Sequence, residues 1–295
     1  MDPRSHRVAN ALVGNPRDAA TCEITLIGPE LAFDDERLIA VSGAMFEVTV
    51  DGRPVTDHEA HPVKAGSRLR FGRRLCGSRA YLAVSGGIDV PVTLGSRATH
   101  LTSRMGGIRG RALRAGDHLA LGKMSEPSIA ATREVARAVC DHIEARFPTG
   151  STCRVRVMAG PQRDRFADDA LDVLQSAPYT VAPDSDRMAF RLTGPRLQHL
   201  GPADIISDAT PLGALQVPAS GQPVLLTADR QTAGGYPKLA TVITADLAIV
   251  GQTSPGDAFA FEVCTHGAAL AALLAEERIL TAFEDRAYRG PRGAR

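Results

Sequence analysis

Between Leu226 and Asp246 the chain reads LTADRQTAGGYPKLATVITAD, a polar loop broken by glycines and flanked by apolar runs. Val224-Leu225-Leu226 and Ala240-Thr241-Val242-Ile243 are β-branched or apolar and of strand length, which predicts strand, loop, strand. The loop carries Asp229, Arg230, Gln231, Thr232, Gly234, Gly235, Tyr236, Pro237 and Lys238. Gly234-Gly235 lets the backbone approach a ligand closely or adopt positive φ, and Tyr236 and Lys238 set a hydroxyl and an ammonium beside that gap. Lys238 has the chemistry to neutralise a developing oxyanion or a carboxylate as a point charge. Tyr236 can donate a hydrogen bond to the same oxygen or relay a proton. Asp229 can orient Lys238 or act as a base, though an aspartate at a strand end is more often a turn residue. A solvated hairpin loop has the same composition, so the surrounding chain must decide between the two readings.

The elements that would position these groups are mostly strands. Up to about Gly122 the chain is a series of short runs: Cys22 to Leu26, Leu38 to Val41, Phe46 to Val50, Arg68 to Phe71 and Ala80 to Val84. Turn signals such as Asp51-Gly52, Ala65-Gly66 and Gly86-Gly87 punctuate them, a pattern of barrels or sandwiches rather than parallel α/β sheets. From Glu126 to Phe147, apolar residues recur at near-helical spacing, which predicts a connecting helix ended by Pro148-Thr149-Gly150-Ser151. A second β-rich region runs from Arg154 to Val263, interrupted by a short helix over Arg165 to Leu174. A last helix is predicted from about Gly267 to Ala287, with Thr265 as its N-cap. The halves echo each other: Ile24 to Leu31 resembles Phe190 to Leu197, and Ala65 to Phe71 resembles Pro255 to Phe261, in the same order.

Composition bounds the function. The 295 residues are 44% apolar and 23% charged with a net charge of +1, a globular composition without the cationic field that nucleic acid or an anionic membrane would need. No apolar run reaches the roughly 20 residues that span a bilayer, and the first residues carry no signal-peptide core, so the expected location is the cytoplasm. The five cysteines are scattered without a Cys-x-x-Cys pair, and read as reduced, structural thiols. Cys264 stands near His266 but ends an apolar strand. His100 and His118 have no partner at metal-ligand spacing, so no metal is expected. Gly235-Tyr236-Pro237-Lys238 is not a phosphate loop, and Lys123-Met124 lacks the flanks of a biotin-accepting lysine.

A longer pattern surrounds the glycine loop. Asp186-Arg187-Met188-Ala189-Phe190-Arg191-Leu192-Thr193-Gly194-Pro195 comes first, then Ile206-Ser207, then Gly213 to Pro218 with Gly221-Gln222-Pro223, and Gln252 with Pro255-Gly256-Asp257 closes it. Upstream stand Arg79 to Ile88, Leu94-Gly95-Ser96-Arg97, and Gly106-Gly107 with Gly110-Arg111-Ala112-Leu113. Together these resemble the biotin-dependent carboxyltransferase family, also called allophanate hydrolase subunit 2. It includes the C subunit of 5-oxoprolinase and the carboxyltransferase domain of urea carboxylase.

The resemblance implies a mainly β fold with a few helices, built as two cyclophilin-like β-barrel lobes with a cleft between them. On that plan residues 1–124 form the N-terminal lobe, 125–150 a helical connector, 151–265 the C-terminal lobe and 266–295 a C-terminal helix and tail. Residues from both lobes would meet in the cleft. From the second lobe these are Lys238, Tyr236 and Asp229 as catalytic candidates, with Gln216, Gln231, Thr232, Gly234 and Gly235 binding substrate. From the first they are Ser96 and Arg97, with Arg111 behind them; Arg97 would clamp a carboxylate. Arg187 is read as holding a turn or touching ligand. Members of the family begin further upstream, in a segment ending Gly-Ala-Met-Asp of which Met1-Asp2 reads as the tail, so either the start is misassigned or the first strand is missing.

The function implied is that of the C subunit of an ATP-dependent 5-oxoprolinase, opening 5-oxoproline to glutamate together with partners like the enzyme's A and B subunits. No cofactor is held tightly by this chain; ATP acts through the partners. One alternative is a carboxyltransferase for urea or a related amide, with carboxybiotin supplied by a partner. Another is a non-catalytic regulator that binds a kinase-inhibitor-like partner.

Overall fold

A computed structural model of the chain describes residues 1–124 and 152–289, with side chains to residue 285. The helix expected over Glu126 to Phe147 lies outside the described residues. The chain divides into two compact units, Asp2–Arg146 with Glu277–Arg295, and Phe147–Glu276 with Met1.

The first unit opens with α1 (Pro3–Leu12), which the sequence reading did not anticipate. Its signal is local: Asp2 is the N-cap, its carboxylate accepting the Ser5 N–H at 3.0 Å, and Pro3 begins the helix where its missing N–H costs nothing. The strands are β1 (Cys22–Thr25), β2 (Glu30–Ala32), β3 (Arg37–Val50), β4 (Arg53–Pro54), β5 (His61–Val63) and β6 (Arg68–Val84). They form one six-stranded antiparallel sheet, β1-β6-β3-β4, with β2 also on β6 and β5 on β3, and α1 lies against β3 and β6. Asp51 and Gly52, both at positive φ, make the tight turn between β3 and β4. The runs read as separate strands at Leu38 to Val41 and Phe46 to Val50 are one strand, as are Arg68 to Phe71 and Ala80 to Val84. The ladder continues through bulges between Gly43 and Val48, where Gly43 and, on the facing strand, Gly77 take positive φ. A bulge bends a strand without ending it, so glycines that look like turns in sequence bend the sheet here. Ile39, Val41, Leu69 and Leu82 are buried in its core.

The second unit holds β7 (Thr152–Ala159), α2 (Ala170–Ser176), β8 (Tyr179–Val181), β9 (Ala189–Thr193), β10 (Asp208–Ala209), β11 (Ala214–Gln216), β12 (Val224–Leu226), β13 (Ala233–Gly234), β14 (Lys238–Val242), α3 (Leu247–Gly251) and β15 (Ala258–Val263). α4 (His266–Arg289) follows. Seven strands close a barrel in the order β11-β12-β9-β8-β15-β7-β14, and only β15 and β7 run parallel. Phe190 and Phe259 stack inside it at 6.3 Å, with Val155, Leu192 and Leu225 buried around them. The side chains alternate along β9, Phe190 and Leu192 inward and Arg191 and Thr193 outward, as a half-buried strand requires. α2 starts later than predicted, after a short 3-10 turn over Arg163–Arg165. Thr265 caps α4 as expected, its hydroxyl accepting the Ala268 N–H at 3.2 Å. The chain is thus mainly β with a few helices, and among the described residues no helix is long and apolar enough to cross a membrane.

Candidate functional site

The segment from Leu226 to Lys238 is not a hairpin. β12 and β14 both pair antiparallel with β11, which lies between them, so the loop must cross β11 to join its two neighbours. The register shows the path: Leu225 pairs with Leu215 and Val224 with Gln216, whereas Lys238 pairs with Gln216 and Thr241 with Ala214. The chain therefore leaves β12 near one end of β11 and enters β14 near the other.

A second segment pins this crossover. β10 pairs with β13, Asp208 opposite Gly234 and Ala209 opposite Ala233. The Ile205 N–H donates to the Gly235 carbonyl at 2.8 Å and the Thr210 N–H to the Thr232 carbonyl at 3.1 Å. The Thr210 hydroxyl donates to the Gln231 carbonyl, and Arg230 Nε to the Thr210 carbonyl at 2.8 Å. Of the two glycines, Gly234 is the crowded one. A Cβ on Gly234 would meet Gln216 Nε2 at 2.6 Å.

Gln216, Gln231 and Tyr236 converge on a pocket of about 640 Å³ on the barrel wall, lined entirely by the second unit. Gln216 is 2% exposed, yet its carboxamide makes only long contacts, Nε2 to the Tyr236 carbonyl at 3.4 Å and Oε1 from Gln231 Nε2 at 3.5 Å. Bonds of that length leave donor and acceptor capacity for a ligand. Tyr236 is 42% exposed, on the lining of the same pocket. At the mouth Asp184 and Arg191 form an exposed pair at 3.0 Å, while Asp186 accepts the N–H groups of Met188 and Ala189 at 2.8 and 3.2 Å. Beside these charged groups the wall carries carboxamides and a phenol, able to meet both the carbonyl and the N–H of an amide.

Two partnerships differ from the sequence reading. Lys238 is fully buried and pairs with Asp208, Nζ to Oδ2 at 2.8 Å, rather than with Asp229. The Lys238 ammonium, the Ala209 N–H and the Gln162 amide together hold the Asp208 carboxyl below the usual carboxylate range. Asp229 instead faces Arg187, at 3.1 and 3.3 Å, while its own N–H donates to the Arg187 carbonyl at 2.8 Å. Neither Lys238 nor Asp229 is in the pocket lining. Thr232 and Gly235 contribute carbonyls to the pinning ladder.

Ser96 and Arg97 belong to the first unit, in an irregular stretch. Ser96 bridges Thr93 and its hydroxyl accepts the Ala98 N–H at 3.1 Å, and Arg97 Nη1 donates to the Val90 carbonyl at 2.7 Å. Arg111 grips Asp117 with both Nη atoms at 2.7 and 2.8 Å. Burial pushes the thiols of Cys153 and Cys264 up and that of Cys22 to about 11, the opposite of what a nucleophile needs. Among the described residues no cluster of His, Cys, Asp and Glu could hold a metal ion. Asp208, Gln162 and Thr210 escaped the sequence reading; the nearest signal was Ile206-Ser207, directly before Asp208.

Known proteins resemble this chain in sequence and in fold. The family model described as "Carboxyltransferase domain, subdomain A and B" matches residues 1–263. The C subunit of 5-oxoprolinase from Escherichia coli (strain K12) is 35% identical over 98% of this chain and 88% of its own length. The urea amidolyase of Saccharomyces cerevisiae is 33% identical over 88% of this chain, but this chain spans only 15% of that protein. Among solved structures, the K. lactis urea amidolyase superposes with a TM-score of 0.86 at 32% identity, covering 96% of this chain and 18% of that one. The Kluyveromyces lactis urea carboxylase gives the same TM-score, with 26% of its chain covered. A match over so much of the sequence places this chain in the carboxyltransferase domain (subdomain A and B) family.

Proposed function

We propose that this chain is the C subunit of an ATP-dependent 5-oxoprolinase, acting in the cytoplasm with partners like the enzyme's A and B subunits to open 5-oxoproline to glutamate. The observation that carries this reading is the extent of the likeness: 98% of this chain aligns with 88% of the Escherichia coli 5-oxoprolinase C subunit. The pocket supports it. A lactam presents one carbonyl acceptor and one N–H donor, and a carboxamide answers both at once. We assign Gln216 and Gln231 to the lactam amide and Tyr236 to its carbonyl oxygen, where a phenol can donate a hydrogen bond as charge builds. Lys238, opposite Gln216 in the ladder, supplies a fixed positive charge. Asp229, committed to Arg187, holds the loop rather than moving a proton. ATP is consumed on the partner subunits.

The test is reconstitution. Co-expressed with its A- and B-like neighbours, the chain should support ATP-dependent glutamate release from 5-oxoproline, and Gln216→Leu or Tyr236→Phe should reduce it. Undiminished turnover when this chain is omitted overturns the reading. The likeness to urea carboxylase structures supports a second one, carboxylation of urea or a related amide from a carboxylated biotin carrier. Urea-dependent loss of carboxyl groups from such a carrier, with no turnover of 5-oxoproline, would select it.

A further inference from the structure

Lys238 is 1% exposed, but the carboxylate that neutralises it is 48% exposed. Gln162 ties the two together. Its Oε1 accepts the Lys238 backbone N–H at 3.1 Å, and its Nε2 donates to Asp208 Oδ2 at 3.0 Å, the same oxygen that binds Lys238 Nζ. Asp208 is itself fixed by β10, whose partner in the ladder is Gly234. The arrangement closes a ring: Lys238 backbone, Gln162 side chain, Asp208 carboxylate, Lys238 ammonium. Such a ring fixes both the direction of the lysine side chain and the location of its charge, because a buried ammonium without a held counter-charge is costly. Lys238 also stands opposite Gln216 in the β11–β14 ladder, just past a register shift after Leu215, and Gln216 forms part of the pocket wall.

We propose that Asp208 and Gln162 are positioning residues that hold the Lys238 ammonium in place beside the pocket, so that its charge acts on the bound amide as negative charge develops. This rests on the pocket being the substrate site. Asp208→Asn keeps the size of the side chain and removes its charge. In the reconstituted complex it should lower kcat about tenfold or more with KM within about twofold, the pattern of an interaction felt in the transition state. Asp208→Glu should recover part of the rate. Gln162→Met, which removes the bridge and leaves both charges, should act in the same direction with a smaller effect, and serves if Asp208→Asn does not fold. A second readout needs no turnover. In the isolated chain, acetylation of Lys238 by acetic anhydride, followed by mass spectrometry, should be slow and should speed up about fivefold or more in Asp208→Asn, as the ammonium loses a charge-assisted bond. If the wild-type complex turns over no 5-oxoproline, the functional reading falls and the labelling alone decides the positioning. Labelling that does not change in Asp208→Asn, or a raised KM at unchanged kcat, overturns the proposal.

Discussion

A Cβ on Gly234 would stand 2.6 Å from Gln216 Nε2, so any side chain at residue 234 requires the end of the Gln216 side chain to move. Thr210 Cγ2 would sit 3.2 Å away, a tight contact as well. Gly234→Ala should displace the Gln216 carboxamide from its position on the pocket lining. It should lower kcat/KM by about ten- to a hundredfold, since misplacement of about 1 Å has effects of that size. The expected loss of stability is only about 1–3 kcal/mol, the usual range for an overpacked site. Steady-state kinetics beside urea denaturation checks it; wild-type kcat/KM would show that Gln216 plays no part in the pocket.

Gln216→Leu separates binding from folding. The carboxamide's hydrogen bonds are 3.4 and 3.5 Å long, so replacing it with an apolar side chain of similar size should cost less than about 1 kcal/mol. A site built to bond an amide, by contrast, loses strongly when one of its polar groups is removed. Substrate binding should weaken about tenfold or more while the melting temperature holds, as calorimetry on the same preparation would show.

The Arg187–Asp229 pair should behave as structure. Asp229 is nearly buried and Arg187 mostly so, and Asp229→Ala would take this counter-charge from a guanidinium in a poorly solvated place. Losses of about 3–5 kcal/mol follow when a fully buried pair is broken. Partial exposure of Arg187 should bring the figure to about 2 kcal/mol, and Arg187→Ala together with Asp229→Ala should recover some of it. If Asp229→Ala leaves stability untouched but abolishes turnover, Asp229 is a base after all.

His58 gives the first unit a pH signature. Burial lowers its pKa to about 4, against a nearby Asp2 that raises it. The unfolded chain therefore takes up this proton near the ordinary pKa of about 6.5, while the folded chain refuses it until about 4, so stability should fall as pH drops through that window. A shift of that size corresponds to about 3 kcal/mol. His58 sits at φ 60°, a conformation that asparagine tolerates, so His58→Asn should flatten the profile without straining the backbone. Urea midpoints between pH 7 and 4 that run parallel in the two proteins would rule the effect out.

Local features were the most legible in the sequence. Asp51-Gly52 and Thr265 announced a turn and a helix cap, each decided by neighbours a few residues away. Of the residues named for the site, Gln216, Gln231 and Tyr236 line one pocket, whereas Lys238 and Asp229 do not. Asp2-Pro3 carried an equally local signal for α1. The long strands β3 and β6 were less legible, because a glycine at a bulge and a glycine at a turn look alike until a partner strand is in place.

What the sequence by itself determined is the inventory: which side chains stand on the crossover, that glycines must accompany them, and the family to which the chain belongs. Only the tertiary structure decided the pairing. Lys238 finds Asp208, 30 residues away, and Asp229 finds Arg187, 42 residues away, because the barrel register brings β10 against β13 and the start of β9 against the end of β12. Charge and hydrogen-bonding capacity belong to a residue type, whereas a counter-ion is chosen by distance in space, and closure of the sheet sets that distance.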